Sequence, residues 1–416
     1  GDNSKLYVRG GNPDENLVLF DGATIGNPFH FDMMGGGFYS IFNSRLVDKV
    51  EFYAGGFPAR YGDRISSVLV IENRMADFEK TKGELSLSMS DVSGVLEAPL
   101  TFANGSALLS ARRSYFDAFL KYTDLAGEYD VLPYFFDINS KLDFNLSQQH
   151  KLTLSGLFSR ERMYAYFDEN PHYTGDFSFE SANGVATGRL RSVLTELFLS
   201  DFILSWSSVK RSSAQPGGGF EEVTDKVLSV KQDFVVILPS HELHLGAWIV
   251  LERQNVQINL PMEGAINFDE LKLRGDGNSF KPSLYVDDKW TIDSTLMATF
   301  GLRYDFVARS KEGAVSQRIN IAYAWNDHMS LSADYGWYYQ SPKAYELVIN
   351  NNLLSRKAES YGIGMKHQIG DEIVVSIEAY NKNLSQLVTI DSLWNLSNDG
   401  YGYSRGAEFY IQLKSP

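Results

Sequence analysis

Residues Gly55–Ser67 read GGFPARYGDRISS, and this stretch decides the fold of the chain. It lies between Val50–Ala54 and Val68–Glu72, two segments that have the apolar and aromatic composition of β-strands. Its three glycines and one proline stand where a chain turns sharply or approaches other backbone closely. The pattern predicts two strands joined by a tightly packed irregular connection.

The composition limits the class of protein. The 416 residues are enough for one large domain and a smaller one. Cysteine is absent, which excludes disulfides and thiolate metal sites, and the net charge of −14 argues against a nucleic-acid partner. Aromatic residues make up 13% of the chain, which suits the aromatic girdle of a membrane protein. No apolar run reaches the ~18 residues that a transmembrane helix needs.

The first part of the chain, residues 1–79, is rich in glycine and mixed in pattern. A short helix is expected near Phe38–Leu46. These features predict a small α+β unit. Its expected strands are Lys5–Arg9, Leu17–Asp21, Val47–Tyr53 and Val68–Asn73.

From about residue 80 to the end, segments of roughly ten residues alternate between apolar and polar side chains. Met297–Phe306 is an example, with one face predicted to meet lipid and the other polar. The apolar face comprises Ala298, Phe300, Leu302, Tyr304 and Phe306, and the polar face Thr299, Gly301, Arg303 and Asp305. In Asp137–Leu146 the residues Asp137, Asn139, Lys141 and Asp143 share the polar face.

The connections between these segments favour a membrane barrel over a soluble sandwich, because short and long connections take turns along the chain. About sixteen strands can be counted by this pattern. The short connections are Phe102–Gly105, Ser147–His150, Pro239–Glu242, Thr291–Ser294, Trp325–His328 and Gly370–Asp371. The long ones are Phe116–Pro133, Tyr164–Phe177, Ser212–Phe220, Gln257–Asn278, Ala308–Val315, Ser341–Lys357 and Asp391–Tyr403.

Several motifs together resemble the TonB-dependent outer-membrane transporters, in their Bacteroidota-like form. The plug resemblance rests on Gly55–Ser67, Tyr7–Gly11, Leu17–Gly22 and Asn27–His30. The barrel resemblance rests on Ser110–Tyr115, Gly301–Asp305, Tyr339–Pro342 and Tyr401–Glu408.

The resemblance implies an all-β transmembrane barrel with a small α+β plug domain in its lumen. Residues 1–79 would belong to the plug and residues 80–416 to the barrel. Since plugged transporters have about 22 strands, the sequence is expected to lack about six C-terminal strands, part of the plug and the N-terminal coupling segment. A closed barrel of about sixteen strands is the alternative.

The function that the resemblance implies is uptake across the outer membrane of a Gram-negative bacterium. A scarce nutrient, most often an iron chelate, would bind outside and enter through plug movement driven by a TonB-like partner. Outer-membrane lipid and a small-molecule or chelate substrate are the other implied partners, and a surface lipoprotein stays open. No cofactor and no catalytic group are expected, because no Walker loop or nucleophile elbow occurs. The alternatives are a surface binding or adhesion barrel without transport and an outer-membrane hydrolase.

The segment Asn27–Tyr39 is the candidate ligand site, because the resemblance places it at the outer apex of the plug. Aromatic and methionine side chains on a glycine-rich segment make an adaptable, mostly apolar contact surface. Soft-metal ligation and simple structural packing are alternatives for this segment. The candidate ligand residues are Asn27, Phe29, His30, Phe31, Met33, Met34, Phe38 and Tyr39.

A set of arginines is predicted to join the plug to the barrel. Polar contacts exchange readily with water, which suits a plug that must stay docked and yet move. The expected partners are lumen carboxylates such as Asp143, Asp305, Glu378 and Glu408. The arginines are Arg9, Arg60 and Arg64 of the plug and Arg112 and Arg113 of the barrel.

Overall fold

The computed structural model describes residues 5–32, 37, 39–123, 133–167, 175–215, 218–261, 270–391 and 395–413. The helices in these residues are short: α1 (Phe116–Thr123), α2 (Glu346–Ile349) and the 3-10 turns Pro13–Glu15 and Thr101–Ala103. None of these described helices has the length and apolar character to cross a membrane. The remaining regular structure is β-strand.

Six strands form the N-terminal part of the chain: β1 (Asn16–Phe20), β2 (Ala23–Thr24), β3 (Phe29–His30), β4 (Tyr39–Ser40), β5 (Val47–Tyr53) and β6 (Ser67–Asn73). Four of them make one sheet in the order β2–β1–β6–β5, with β1 parallel to β6 and the other pairs antiparallel. Strands β3 and β4 form a separate hairpin. The stretch Gly55–Ser67 connects β5 to β6, as its punctuation predicts.

Two predicted elements of this part are wrong. Residues 5–9 form no strand, because side chains rather than a neighbouring strand bind their carbonyls: Asn16 donates to the Leu6 oxygen at 2.6 Å and Ser66 to the Val8 oxygen at 2.7 Å. The described residues 39–46 contain no helix. There β4 pairs with β3, and the Leu46 amide closes a turn onto the Asn43 oxygen at 3.0 Å.

The other sixteen strands form one continuous antiparallel sheet in sequence order. The first eight are β7 (Lys82–Leu87), β8 (Asp91–Leu100), β9 (Gly105–Ser114), β10 (Tyr134–Asn145), β11 (His150–Phe167), β12 (Gly175–Thr195), β13 (Phe198–Ala214) and β14 (Phe220–Ile237). The last eight are β15 (His241–Pro261), β16 (Glu270–Thr291), β17 (Leu296–Val307), β18 (Glu312–Asn326), β19 (Met329–Gln340), β20 (Arg356–Ile369), β21 (Ile373–Ile390) and β22 (Leu396–Leu413). The expected number of strands is confirmed.

The sheet is open between its first and last strands. Among the described residues β7 pairs only with β8 and β22 only with β21. The alternative of a closed barrel of sixteen strands is therefore wrong.

The sheet is polar on its buried face and apolar on its exposed face, which is the reverse of a soluble protein. In β10 the side chains of Asp137, Asn139 and Asp143 are almost completely buried. In β17 Phe300 and Leu302 are exposed. A sheet that surrounds a polar interior and meets lipid outside has this distribution. The ends of β17 depart from the predicted face: Ala298 is buried, and Phe306 lines an interior cavity.

The buried face of the sheet surrounds the N-terminal part of the chain. One apolar cluster combines Phe57 and Tyr61 with Trp248 and Tyr338 of the sheet. A second combines Phe20 and other plug residues with Leu157 and Val185 of the sheet. The plug is therefore held by apolar packing as well as by the polar contacts that the sequence predicts.

Replacing Leu302 by Arg should destabilise the folded barrel, whereas Thr299→Arg should be tolerated. Leu302 is 54% exposed on the outer face, and Thr299 lines a cavity on the inner face of the same strand. An arginine at the bilayer midplane costs about 2–4 kcal/mol. Folding titrations of both variants in urea with lipid vesicles measure the difference. Equal losses of folding free energy in the two variants would contradict the assignment of faces.

Candidate functional site

The backbone between Phe57 and Tyr61 is held by three cations of the barrel wall. Arg318 Nη1 donates to the Phe57, Pro58 and Tyr61 oxygens at 3.1, 2.5 and 2.7 Å. Arg303 Nη1 reaches the Ala59 oxygen at 3.2 Å, and Lys231 Nζ reaches the Arg60 oxygen at 3.2 Å. Each of these five consecutive carbonyls thus has a charged donor on the wall. We call Arg318, Arg303 and Lys231 the cation clasp.

The same backbone also donates to the wall, and it lies very close to it. The amides of Ala59 and Arg60 donate to Asp287 at 2.6 and 2.8 Å. A Cβ atom on Gly62 would lie 2.1 Å from Nε of Arg303, so only glycine fits there. The glycine that the sequence marks as a close approach is therefore the point where the plug meets the clasp.

Asp63 extends this contact toward the next strands. Its carboxylate accepts from Lys281 Nζ at 2.8 Å and from the Ser341 backbone and hydroxyl at 2.7 Å each. Burial alone would raise the pKa of Asp63, but Lys281 and Arg64 outweigh it and lower the pKa to about 2. Asp63 is therefore ionised at neutral pH, and it fixes the plug to β16 and to the connection after β19.

The structure brings three of the five predicted arginines to the junction between plug and barrel. Arg9 pairs with Glu378 at 2.5 Å and with Glu408 at 2.7 Å. Arg60 contributes its amide, as described above, and its guanidinium lies 3.1 Å from Nε2 of His244. Arg112 donates to the Ser40 oxygen of the plug at 2.5 Å.

For the other two arginines, the contacts among the described residues stay within one domain. The described hydrogen bonds and ion pair of Arg64 stay within the plug, to the backbone of Asn16 and to Asp63. Arg113 pairs with Asp117 in the barrel segment that follows β9. That Arg64 and Arg113 join plug and barrel stays a prediction, because the direction of each side chain depends on its place in the fold.

His30 forms a buried ionic cluster with the wall. Its side chain is completely buried, with Nε2 at 2.9 Å from Asp137 and Nδ1 at 3.2 Å from Glu161. The ring stacks on Phe135 with centroids 4.3 Å apart. The Phe31 amide also donates to Glu161, and Arg112 donates to Asp137 at 2.6 Å. The plug apex is therefore docked to β9, β10 and β11 through charge.

The pKa of His30 follows from this cluster. Burial lowers the pKa of an imidazole, but the hydrogen bonds and charges of Asp137 and Glu161 outweigh burial and raise it. The protonated form is therefore the one that the site stabilises. Because both ring nitrogens face carboxylates, neither is free for the soft-metal ligation considered for this segment.

The candidate ligand residues divide into two groups in the structure. Phe31 and Tyr39 belong to an apolar cluster with Phe135 of the wall, beside the buried His30. Asn27 and Phe29 line a large cavity instead. Met33, Met34 and Phe38 lie outside the described residues. That the whole segment contacts ligand stays a prediction, and the cavity favours its first part.

This cavity, which we call the vestibule, has a volume of about 560 Å³ and lies between plug and wall. Its wall side includes Val256 and Ile258, near the end of β15 that leads into a long connection. Ser341 and Tyr345 of another long connection also line it. The vestibule is therefore on the side of the sheet where the long connections gather.

The charges of the vestibule are almost all paired. Its six lining cations each have a carboxylate within 4.0 Å, for example Lys281 with Asp63 at 2.8 Å and with Glu252 at 2.7 Å. Among the described residues, the lining carboxylates Glu221 and Asp225 form no ion pair. The uncompensated charge of the described lining is negative.

Among the described residues, no group of three or more histidines and carboxylates is placed to hold a metal ion. The clasp, Asp287 and Lys281 were not predicted from the sequence, because no local signal identifies them as contacts of the plug. They alternate with apolar residues like any other lumen side chain, and their role depends on which part of the plug lies opposite.

Comparison with known proteins identifies this arrangement. The model of the TonB-dependent receptor-like β-barrel matches residues 78–414, and the model of the TonB-dependent receptor plug domain matches residues 1–68. The chain belongs to the TonB-dependent receptor family. The protein is therefore an outer-membrane receptor of a Gram-negative bacterium. The long connections are its outer loops, and the short turns face the periplasm.

Solved receptors share the fold. A mutant of the ferric enterobactin receptor PfeA from Pseudomonas aeruginosa has a TM-score of 0.74 at 17% identity, over 97% of this chain and 70% of that one. The outer membrane transporter YddB from Escherichia coli has a TM-score of 0.74 at 14% identity, over 99% and 68%. The siderophore receptor PirA from Acinetobacter baumannii has a TM-score of 0.70 at 13% identity, over 99% and 73%. No curated protein matches the chain by sequence.

These findings confirm the predicted family, the barrel with its plug, and the outer-membrane location. The matched models are those of a receptor barrel and its plug, which establishes the class of protein. The boundary between plug and barrel near residue 79 stays a prediction, as does the Bacteroidota-like form of the family.

Proposed function

We propose that the receptor captures an iron chelate in the vestibule and imports it when a TonB-like partner moves the plug. The observation that carries this proposal is the vestibule itself. It opens among the outer loops, and residues of both the plug and the wall line it. Its volume of about 560 Å³ lies within the range of ligand sites, roughly 300–1,000 Å³. Displacement of the plug would remove one side of the site and release the ligand inward.

The charge of the vestibule favours a chelate with little or no negative charge. The lining cations are engaged by carboxylates, and Glu221 and Asp225 add unpaired negative charge among the described residues. A trianionic ferric complex, such as a tris-catecholate, would meet these carboxylates without a free cation to offset them. A neutral ferric tris-hydroxamate avoids this repulsion, and we expect it to bind better.

Two further observations support this proposal, one on the role of the plug and one on the class of cargo. Asn27 and Phe29 of the plug line the vestibule, which supports a ligand contact with this part of the plug. The solved receptors with this fold include proteins named for ferric enterobactin and for siderophores, which supports an iron chelate as the class of cargo. In this proposal residues 1–79 act as the moving plug and residues 80–416 as the fixed barrel.

Radioactive iron uptake by a deletion strain carrying the receptor gene tests the proposal. Cells receive either the ferric tris-hydroxamate or the tris-catecholate complex, with and without a protonophore. Accumulation of the neutral complex that stops with the protonophore is the expected result. Binding without energy-dependent accumulation would favour the adhesion barrel, and no binding of either complex would contradict an iron chelate as cargo.

The double variant Phe29→Ala, Tyr345→Ala should bind the chelate at least about tenfold more weakly, since truncation of an aromatic anchor costs ~2 kcal/mol or more. Both side chains line the vestibule, one from the plug and one from an outer loop. Binding to intact cells without an energy source measures the affinity. Tyr39→Ala is the matched control, because Tyr39 packs in the apolar cluster beside His30. Unchanged affinity in the double variant would contradict the vestibule as the binding site.

A further inference from the structure

The outer, lipid-facing wall carries a row of large apolar side chains on β13 to β16. Trp206 stands opposite Leu228, Leu228 opposite Leu251, and Leu251 opposite Phe280. All four side chains are exposed. The row therefore crosses four strands at one level of the membrane, with a tryptophan in it, as is common near a membrane–water interface.

A row of basic residues lies two positions closer to the outer loops. Lys226 stands directly opposite Arg253, and Arg309 follows the end of β17 beside the same groove. Like charges directly opposite each other across two strands are destabilising unless an anion lies between them. The chain as a whole carries a net charge of −14, so this row runs against its overall charge.

The carboxylates near this row leave its cations able to bind a further anion. Arg253 lies 3.2 Å from Asp276, but both side chains are half-exposed, and such surface pairs contribute little. Glu252 lies in the adjacent position but pairs inward with Lys281. Among the described residues, Lys226 forms no ion pair.

The two rows share one groove of about 650 Å³ on the outer wall. We propose that this groove binds the phosphorylated headgroup of an outer-leaflet lipid. The phosphate lies between Lys226, Arg253 and Arg309, and an acyl chain lies along the apolar row. Charge complementarity carries the choice of occupant, because a phosphate accepts bidentate hydrogen bonds from arginine and supplies the anion that the facing cations need. The apolar row directly below requires that the phosphate belong to a lipid.

This lipid site is separate from the vestibule. Alternate residues of a strand point to opposite faces of a sheet, so Lys226 and Arg253 point outward while Asp225 and Gln254 line the vestibule. The proposal therefore goes beyond nutrient uptake. Lipid binding on the outer wall and chelate binding in the vestibule can each hold or fail without the other.

Titration of the purified full-length receptor in detergent with lipid A, a glycolipid with two phosphates, tests the proposal. Native mass spectrometry counts the bound lipid. We expect saturable binding of lipid A to the unaltered receptor. The double variant Lys226→Gln, Arg253→Gln should bind on the order of tenfold more weakly, because two charge-assisted contacts are lost. A heat-modifiability gel verifies that both proteins are folded barrels.

Arg160→Gln is the matched control, because Arg160 is also an exposed arginine on the wall but pairs with Glu180 at 2.5 Å. It should bind lipid A as the unaltered receptor does. Equal loss in this control, or equal binding of a dephosphorylated lipid A, would overturn the proposal in favour of unspecific lipid contact. Displacement of lipid A by inorganic phosphate at equal concentration would overturn it in favour of a site for the free ion.

Discussion

Arg318→Ala should release the plug far more easily than any exposed arginine variant. Arg318 is buried, donates to three backbone oxygens of the plug, and lies over the rings of Phe57 and Tyr338 at 4.7 and 4.6 Å. Hydrogen bonds to a charged group contribute about 1.5–3 kcal/mol each, and they are not additive. We expect the docking free energy of the plug to fall by about 3–5 kcal/mol.

The measurement is the urea concentration at which single receptors in a planar bilayer open as pores. The midpoint should fall clearly for Arg318→Ala. The midpoint of Arg318→Lys should lie between those of Arg318→Ala and the unaltered receptor. An ammonium group keeps the charge of the guanidinium but lacks its planar set of donors. Arg405→Ala is the control, since Arg405 is exposed and donates to Asn381 at 2.7 Å within the barrel. Equal midpoints for Arg318→Ala and Arg405→Ala would contradict the clasp.

His30→Ala should loosen the apex of the plug by a comparable amount. The substitution removes the imidazole partner of the buried Glu161. Asp137 also loses the imidazole and keeps its ion pair with Arg112. Removal of one partner from a buried ion pair typically costs about 3–5 kcal/mol. Protease cleavage of the apex in folded receptor, detected by mass spectrometry, measures the loosening. His150→Ala is the control, because His150 contacts Ser192 at 2.8 Å in a periplasmic turn.

The same cluster predicts a pH dependence with a definite sign. The pKa of His30 is raised above 6.5 in the folded protein. Its contribution to docking is therefore complete below the unfolded pKa and is lost as the pH rises through the folded pKa. Apex cleavage should increase in the unaltered receptor as the pH rises from below 6.5 into the alkaline range, and His30→Ala should lack this increase. A cleavage rate that falls with rising pH would contradict the assignment.

Together the clasp and the His30 cluster explain how a plug can be firmly docked and still movable. The clasp binds backbone oxygens, so it fixes the path of the chain within Gly55–Ser67 and depends little on which side chains the bound residues carry. The cluster at the apex is ionic and buried, and it loses its stabilisation once water enters. Apolar packing of Phe57 and Tyr61 against the wall adds to both.

The sequence by itself determined the architecture, because the architecture depends on patterns among residues that are close together in the chain. Period-two alternation fixes which side chains share a face, and the lengths of the connections fix which ends of the strands share a side of the membrane. The glycines of Gly55–Ser67 indicated sharp turns or close approaches, and at Gly62 the chain lies directly against the side chain of Arg303. These features need only neighbours in the chain.

The tertiary structure alone decided which residues meet. Phe57 and Arg318 are 261 positions apart in the chain, and Asp63 and Ser341 are 278 apart. Lumen side chains follow one polar pattern along the sheet, so alternation cannot tell Asp287, which binds the plug, from Asp143, which binds Thr153 and Lys151 of the wall. The distinction depends on how the plug is rotated inside the barrel. That rotation is set by many weak contacts at once, and no short segment of sequence encodes it.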